Sequence, residues 1–263
     1  MAVWVGRRRG GPVWIWGIVA IVFVIVRAMG GGGHSSQSQR HPSETWPRHA
    51  PSLPPPGPPE EGVALVIVYD TSASMTDLAP GQGGRLPKYV IGSRALLAVA
   101  DRLGGWAKGG TAASPRRIDV GLVVFEGEYG VDEVLSLSPL HVDALRQRIA
   151  RLPEPAGHTP LGTAIERAGV MLLSSRLTKK HVLVITDGES NRGPLPAVVL
   201  GELRALAEAR QALLMVHVIA FDVDAAVFAP LKDAGATLVS AADEAQLQEK
   251  LSFILDEQIL LEK

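Results

Sequence analysis

The stretch "VALVIVYDTSASM", residues 63–75, is an apolar run that ends abruptly in an acid, a threonine and two serines. The run is rich in β-branched residues and shows no alternation with polar residues, which is typical of a strand buried on both faces of a sheet. Directly after it come Asp70, Ser72 and Ser74, three oxygen-bearing side chains within five residues. This pattern predicts a buried strand followed by a loop that can turn several oxygens towards one point.

Strand and helix signals alternate from Val63 to the end of the chain. Further strands are predicted at 118–125, 132–140, 181–187, 213–221 and 236–240, and helices at 88–107, 141–152, 161–173, 196–211 and 225–235. A closing amphipathic helix is indicated by the spacing of Leu247, Leu251, Ile254, Leu255 and Ile259. Continuous hydrophobicity in the main strands predicts a doubly wound α/β fold, with a mostly parallel sheet covered by helices on both faces.

The first 62 residues differ in composition from the rest. Arg7, Arg8 and Arg9 precede an uncharged apolar run, Pro12–Val26, and we interpret residues 1–29 as a transmembrane anchor, with a cleaved signal segment as the alternative. The positive-inside rule then places the amino terminus inside and exports the remainder, as a single-pass membrane protein or, after cleavage, as a secreted one. Residues 30–62 are rich in Gly, Ser and Pro, which predicts a disordered linker before a domain at 63–263.

Composition excludes several classes of function. The formal net charge of −1 argues against a nucleic-acid-binding protein, which would show a basic domain or stripe. The absence of cysteine excludes disulfides, thiolate metal sites and cysteine nucleophiles.

The loop after the first strand favours a metal site over a phosphate site. In doubly wound sheets ligands bind beyond the carboxyl ends of the strands, where the strand order reverses. A phosphate-binding loop would need the GxxxxGK[ST] motif, which is absent, and "PGQGGRLP" (80–87) does not directly follow a strand, so we interpret it as a mobile loop. Hard oxygen ligands with little charge suit Mg²⁺ or Mn²⁺, or Ca²⁺, better than zinc.

Two later motifs extend this pattern. Thr159 stands in "GHTPLGTAI", and Asp187 ends the strand in "VLVITDGES". With "DTSAS" (70–74) they resemble the von Willebrand factor type A (vWA) domain and its metal-ion-dependent adhesion site (MIDAS), whose pattern is DxSxS in a first loop, threonine in a second and aspartate in a third. The resemblance implies that the metal ligands are Asp70, Ser72, Ser74, Thr159 and Asp187.

Each of these residues also has a purely structural interpretation. Thr159 followed by Pro160 fits a helix N-cap with proline at the first helical position. Asp187-Gly188 fits an ordinary turn, and the two serines could cap the next segment. Glu126 and Asp222 also follow predicted strands, but exposed loop acids are common and we do not assign them to the site.

The resemblance implies a function as a binding module. In vWA domains with this site, an aspartate or glutamate carboxylate of a protein partner completes the coordination of the metal. We therefore expect a membrane-tethered bacterial vWA module that binds protein in a metal-dependent way and is not an enzyme. One alternative is a scaffold of an envelope complex with a structural metal. The other is a Mg²⁺-dependent hydrolase using Asp70 as nucleophile, which would need a second acid where the chain has Ser72.

Overall fold

The computed structural model describes residues 53, 57–110, 116–126 and 130–261. Within these ranges eight strands form a six-stranded sheet and a two-stranded hairpin. The strands are β1 (Glu60–Tyr69), β2 (Leu78–Gly81), β3 (Gly84–Pro87), β4 (Ile118–Glu126), β5 (Gly130–Pro139), β6 (Leu177–Thr186), β7 (Leu213–Phe221) and β8 (Thr237–Ala241).

The large sheet has the order β5-β4-β1-β6-β7-β8, and only β5 runs antiparallel to its neighbour. The central strand β1 lies between β4 and β6, with Tyr69 opposite Val124 on one side and Ile185 on the other. The chain builds outward from β1 first to β4 and β5 and then to β6, β7 and β8. The reversal of strand order at β1 and β6 brings the loops after these two strands side by side.

In the described part of the chain, six α-helices cover the sheet. They are α1 (Lys88–Lys108), α2 (Val142–Ile149), α3 (Leu161–Ser174), α4 (Pro196–Ala209), α5 (Ala229–Asp233) and α6 (Glu244–Ile254). Strand β1 shows that both faces are covered, because Leu65 and Ile67 belong to the core that includes α1 and α6, whereas Val66 and Val68 belong to the core that includes α3 and α4. The predicted mixed α/β fold, with a mostly parallel sheet flanked by helices, is confirmed.

Two segments differ from the sequence-based prediction. The glycine-rich segment 80–87, predicted as a loop, belongs to the antiparallel hairpin β2-β3, in which Gly81 pairs with Gly84. Gly83 and Gly84 have φ values of +91° and +137°. Residues with a Cβ atom rarely adopt such values, so these glycines allow the tight turn. The predicted closing helix is α6, and it continues through one π-helical turn, Leu255–Ile259.

The predicted localisation as a single-pass membrane protein is corrected here. Among the described residues no helix is both long enough and apolar enough to cross a bilayer. The longest, α1, has 21 residues, but it carries charged residues along its length, including Arg94, Asp101 and Arg102, because only one of its faces packs on the sheet. The predicted anchor, residues 1–29, lies outside the described residues, as does nearly all of the predicted linker.

Candidate metal centre

Asp70 lies directly beyond the carboxyl end of β1 and is completely buried. One carboxylate oxygen, Oδ1, accepts the backbone N–H of Ser72 at 2.8 Å. The other, Oδ2, accepts the hydroxyl of Thr186, the last residue of β6, at 2.6 Å. Burial raises the pKa of Asp70 to about 6, against the opposing effect of these hydrogen bonds. The first loop therefore holds its carboxylate rigidly, in an environment where the negative charge is only partly compensated.

Hydrogen bonds join the first loop to the loop after β6. Ser72 Oγ and Ser74 Oγ are 3.1 Å apart, and Ser74 Oγ donates to Asp187 Oδ1 at 2.7 Å. Asp187 follows β6 directly and is 5% exposed. Four of the five predicted ligands thus belong to one connected group of oxygens, although 113 residues separate Ser74 from Asp187.

Thr159, the fifth predicted ligand, lies in the loop between α2 and α3 and is buried. A Cβ placed on Gly188 would lie 3.7 Å from Ser74 Oγ and 3.8 Å from Thr159 Oγ1, so both hydroxyls border the same glycine. The helix that follows has Pro160 as its N-cap residue, with no side-chain capping hydrogen bond. The interpretation of Thr159 as a helix cap is therefore wrong, and its hydroxyl lies on the side of the other predicted ligands.

Backbone hydrogen bonds fix the three loops relative to one another. Ala156 N–H donates to the carbonyl of Thr71 at 2.9 Å, which joins the second loop to the first. The Thr159 N–H donates to Asn191 Oδ1 at 2.9 Å, and the Asn191 N–H returns a bond to the Thr159 carbonyl at 3.2 Å. The oxygens are therefore positioned by the rigid ends of strands and by contacts between loops.

A lysine that the sequence analysis did not consider enters this cluster. Lys88, the first residue of α1, lies with Nζ 3.1 Å from Asp187 Oδ2 and 3.3 Å from Asp222 Oδ2. Burial lowers the pKa of Lys88, but the interactions with Asp187 and Asp222 outweigh it, so the pKa is raised and the side chain is a cation at neutral pH. Asp222, left out of the predicted site, thus reaches it through Lys88.

The chemistry of these side chains fits a hard divalent cation. Two carboxylates and three hydroxyls are brought together from three loops, and such oxygen ligands, supplemented by water, are those that Mg²⁺ accepts. In the described part of the chain no group of three or more His, Cys, Asp and Glu residues could hold a metal. A metal here would therefore depend on the hydroxyls, which are neutral and hold an ion less strongly than an acidic cluster does.

Comparison with protein families gives one match. The sequence model of the von Willebrand factor type A domain matches residues 64–253, which is most of the chain and includes all five predicted ligands. A comparison with curated proteins found no match.

Several solved structures share the fold. The PilB minor pilin from Streptococcus sanguinis has 17% identity and a TM-score of 0.57, covering 76% of this chain and 61% of the pilin. Proximal thread matrix protein 1 from the mussel byssus, in a structure with a zinc-occupied MIDAS motif, has 16% identity and a TM-score of 0.54, covering 76% of this chain and 48% of the other. The vWF domain of the type V pili tip protein Mfa5 from Porphyromonas gingivalis has 14% identity and a TM-score of 0.54, covering 74% and 94%. The chain thus spans about three fifths of the pilin and about half of the matrix protein.

Proposed function

Because this chain belongs to the von Willebrand factor type A domain family, we propose that it is a module that binds another protein through a divalent metal ion. The metal would be held by the oxygens of the three loops described above. The ligands in this proposal are Asp70, Ser72, Ser74, Thr159 and Asp187. When bound, a Mg²⁺ or similar ion supplies a Lewis-acidic centre for a partner's aspartate or glutamate carboxylate.

The observation that carries the proposal is the convergence of these side chains at the carboxyl edge of the sheet. Asp70, Thr159 and Asp187 are buried, so their oxygens are held in fixed positions. Ser74 is partly exposed, and Ala73, Gly157 and Glu189 beside the predicted ligands are exposed. The buried ligands are therefore held rigidly, while the residues beside them are open to solvent. Contact with another protein requires such an open side.

The environment of Asp70 supports binding over hydrolysis. A nucleophilic carboxylate needs an oxygen that can reach a substrate, whereas Asp70 is fully buried and both of its oxygens accept hydrogen bonds. A small ion, held directly or through water, needs no such access. Ser72, two residues later, provides no second acid that could act as a general acid or base. The geometry of the first loop is suited to holding a cation in place.

The test is Asp70→Asn in the full chain, examined by calorimetric titration with Mg²⁺ and Mn²⁺ and by scanning calorimetry without metal. We expect metal binding to be lost. The melting temperature of the metal-free variant should equal or exceed that of the wild type, because burial already disfavours the charged carboxylate in the metal-free protein. Metal binding that survives this substitution unchanged would contradict the assignment of the site.

Partner capture separates a binding metal from a structural one. The full chain immobilised in Mg²⁺ should retain proteins that chelator releases, while its melting temperature changes little on chelation. If chelator instead unfolds the protein at a much lower temperature and releases no partner, the metal is structural and the scaffold interpretation takes precedence.

A further inference from the structure

Lys88 places a fixed positive charge against a residue of the proposed metal centre. Its Nζ lies 3.1 Å from Asp187 Oδ2, while the other oxygen of the same carboxylate accepts Ser74 Oγ at 2.7 Å. The lysine side chain is 7% exposed and that of Asp187 is fully buried. The ion pair is therefore shielded from solvent, and one oxygen of Asp187 is engaged by a cation before any metal binds.

The position of Lys88 in its helix is electrostatically unfavourable. It is the first residue of α1, a 21-residue helix with no acidic residue in its first turn. The amino terminus of a helix carries partial positive charge, which repels a lysine. The two carboxylates of Asp187 and Asp222 offset this repulsion, which explains how a buried lysine is stable there.

Asp222 is held in an unusual conformation where it meets Lys88. It follows β7 directly and has a φ of +51°, in the left-handed region that few residues other than glycine adopt. In this conformation its side chain lies 3.3 Å from Lys88 Nζ, and its carbonyl lies 3.5 Å from the same atom. This strained backbone conformation occurs at the residue that completes the binding site of the lysine.

These contacts set the charge of the site. Asp70, Asp187 and Asp222 contribute three negative charges when ionised and Lys88 one positive charge, so the group has a net charge of −2. A divalent ion would bring this total to zero, whereas without Lys88 the ion would meet Asp187 with no cation beside its Oδ2 atom. The lysine therefore competes with the metal for Asp187 and reduces the attraction of the site for divalent cations.

We infer that Lys88 is a resident cation of the metal centre that holds the loops after β6 and β7 together in the absence of metal and weakens the binding of a divalent ion. This inference rests on the proposed function, because it assumes that Asp187 takes part in metal binding. It assigns Lys88 and Asp222 a regulatory part in that site, as residues that set its affinity without being ligands.

The test measures Mg²⁺ affinity by calorimetric titration of the full chain carrying Lys88→Met. We expect Mg²⁺ to bind about tenfold more tightly than in the wild type, or better, because one nearby positive charge has been removed. The melting temperature of the metal-free variant should fall by several degrees, since Asp187 is left buried without its counter-charge. Lys88→Gln, which removes the charge but keeps a hydrogen-bond donor, should show the same tightening if the methionine variant does not fold.

Lys180→Met is the matched control. Lys180 is 5% exposed, and its Nζ donates to the carbonyl oxygens of Ser175 and Leu177 at the opposite end of β6. This substitution should lower the melting temperature and leave Mg²⁺ affinity unchanged.

The outcomes distinguish this inference from the proposed function. If the wild type binds Mg²⁺ and neither Lys88 variant binds it more tightly, the inference about Lys88 is wrong and the metal centre stands. If the Lys88 variants bind Mg²⁺ and the wild type does not, the inference holds and metal-dependent binding by the natural chain is overturned. If no protein binds Mg²⁺ or Mn²⁺, both fail.

Discussion

Thr159 fits two roles in the sequence, a helix cap and a metal ligand, and the structure excludes the first of them. Its place before proline at the start of a predicted helix is the pattern of an N-cap. In the structure α3 begins one residue later than such a cap requires, and its first turn has no side-chain cap. The conformation of Thr159 is instead fixed through its backbone by Asn191, which leaves its hydroxyl on the side of Ser74 and Gly188.

We therefore expect Thr159→Val to weaken Mg²⁺ binding without unfolding the protein. Valine keeps the shape of threonine and removes the hydroxyl. Loss of even an outer-shell partner of a metal typically costs roughly 10- to 100-fold in affinity, so loss of a ligand hydroxyl should cost at least as much. The free energy of unfolding without metal should stay within about 1 kcal/mol of the wild type, because no helix cap is lost. Thr159→Ser, which keeps the hydroxyl and loses a methyl group, is the control and should bind Mg²⁺ nearly as well as the wild type. Titration calorimetry and urea unfolding measure the two effects, and equal affinities for the valine and serine variants would remove Thr159 from the site.

The positions of the two aspartates were predictable because each directly follows a strand that the sequence shows. Asp70 follows a run of apolar residues, Asp187 follows another, and both lie where parallel strands end at one edge of the sheet. The residues that the sequence analysis missed make contacts with residues far away in the sequence. Lys88 binds Asp187, which is 99 positions away in the sequence, and Thr186 donates a hydrogen bond to Asp70, which is 116 positions away. No local pattern marks such a pair, because a lysine at a helix start and a threonine at a strand end are common in themselves.

At the scale of elements, the third loop is positioned by close packing against the first turn of α3. Gly162 lies in that turn, and a Cβ added to it would overlap the backbone carbonyl oxygen of Pro194. A carbonyl oxygen cannot rotate away as the end of a long side chain can. The absence of a side chain at Gly162 is therefore what allows the segment after Asp187 to approach α3.

Gly162→Ala should accordingly lower the free energy of unfolding by about 2 kcal/mol or more. The matched control is Gly201→Ala in α4, where a Cβ would meet nothing within 4 Å. There the substitution should raise the free energy of unfolding by about 0.5 to 1 kcal/mol, because alanine favours a helix more than glycine does. Urea denaturation of the three proteins measures the difference. If both variants change stability in the same direction, the contact with Pro194 does not determine the packing.

The elements themselves follow largely from the spacing of apolar residues, and the exceptions have physical causes. Most strands of the large sheet and helix α1 were predicted because they are long and strongly patterned, and the short β8 was predicted from its apolar residues. The hairpin β2-β3 was missed because each of its strands has four residues and its sequence is dominated by glycine and proline, which more often form loops. Its pairing depends on the turn at Gly83 and Gly84, a conformation that composition alone does not reveal.

At the scale of the whole molecule, two buried histidines make folding sensitive to acid. His181 on β6 and His217 on β7 stack with their ring centroids 5.4 Å apart, and His181 Nδ1 lies 3.1 Å from His217 Nε2. Burial lowers the pKa of His181 to about 3, helped by the neighbouring His217 and Lys179. Burial also lowers the pKa of His217 to about 4, an effect that Gln258 partly offsets. In the unfolded chain both side chains would titrate near their ordinary pKa of about 6.5.

We therefore expect the free energy of unfolding to fall as the pH falls from about 6.5 towards 4. In this range the unfolded chain takes up two protons that the folded protein excludes, so stability is lost on acidification, by on the order of 2 to 4 kcal/mol between pH 7 and pH 5. Asp70 acts in the opposite direction, because its pKa is raised on folding to about 6 and the folded protein takes up that proton first.

The contribution of the histidines is isolated by comparing the wild type with His181→Leu/His217→Leu, by urea unfolding at half-unit steps from pH 7.5 to 4.5. The double variant should gain stability relative to the wild type as the pH falls, whereas His141→Gln, a change at an exposed histidine, should follow the wild type. If the wild type and the double variant keep a constant difference across this range, the buried pair does not exclude protons.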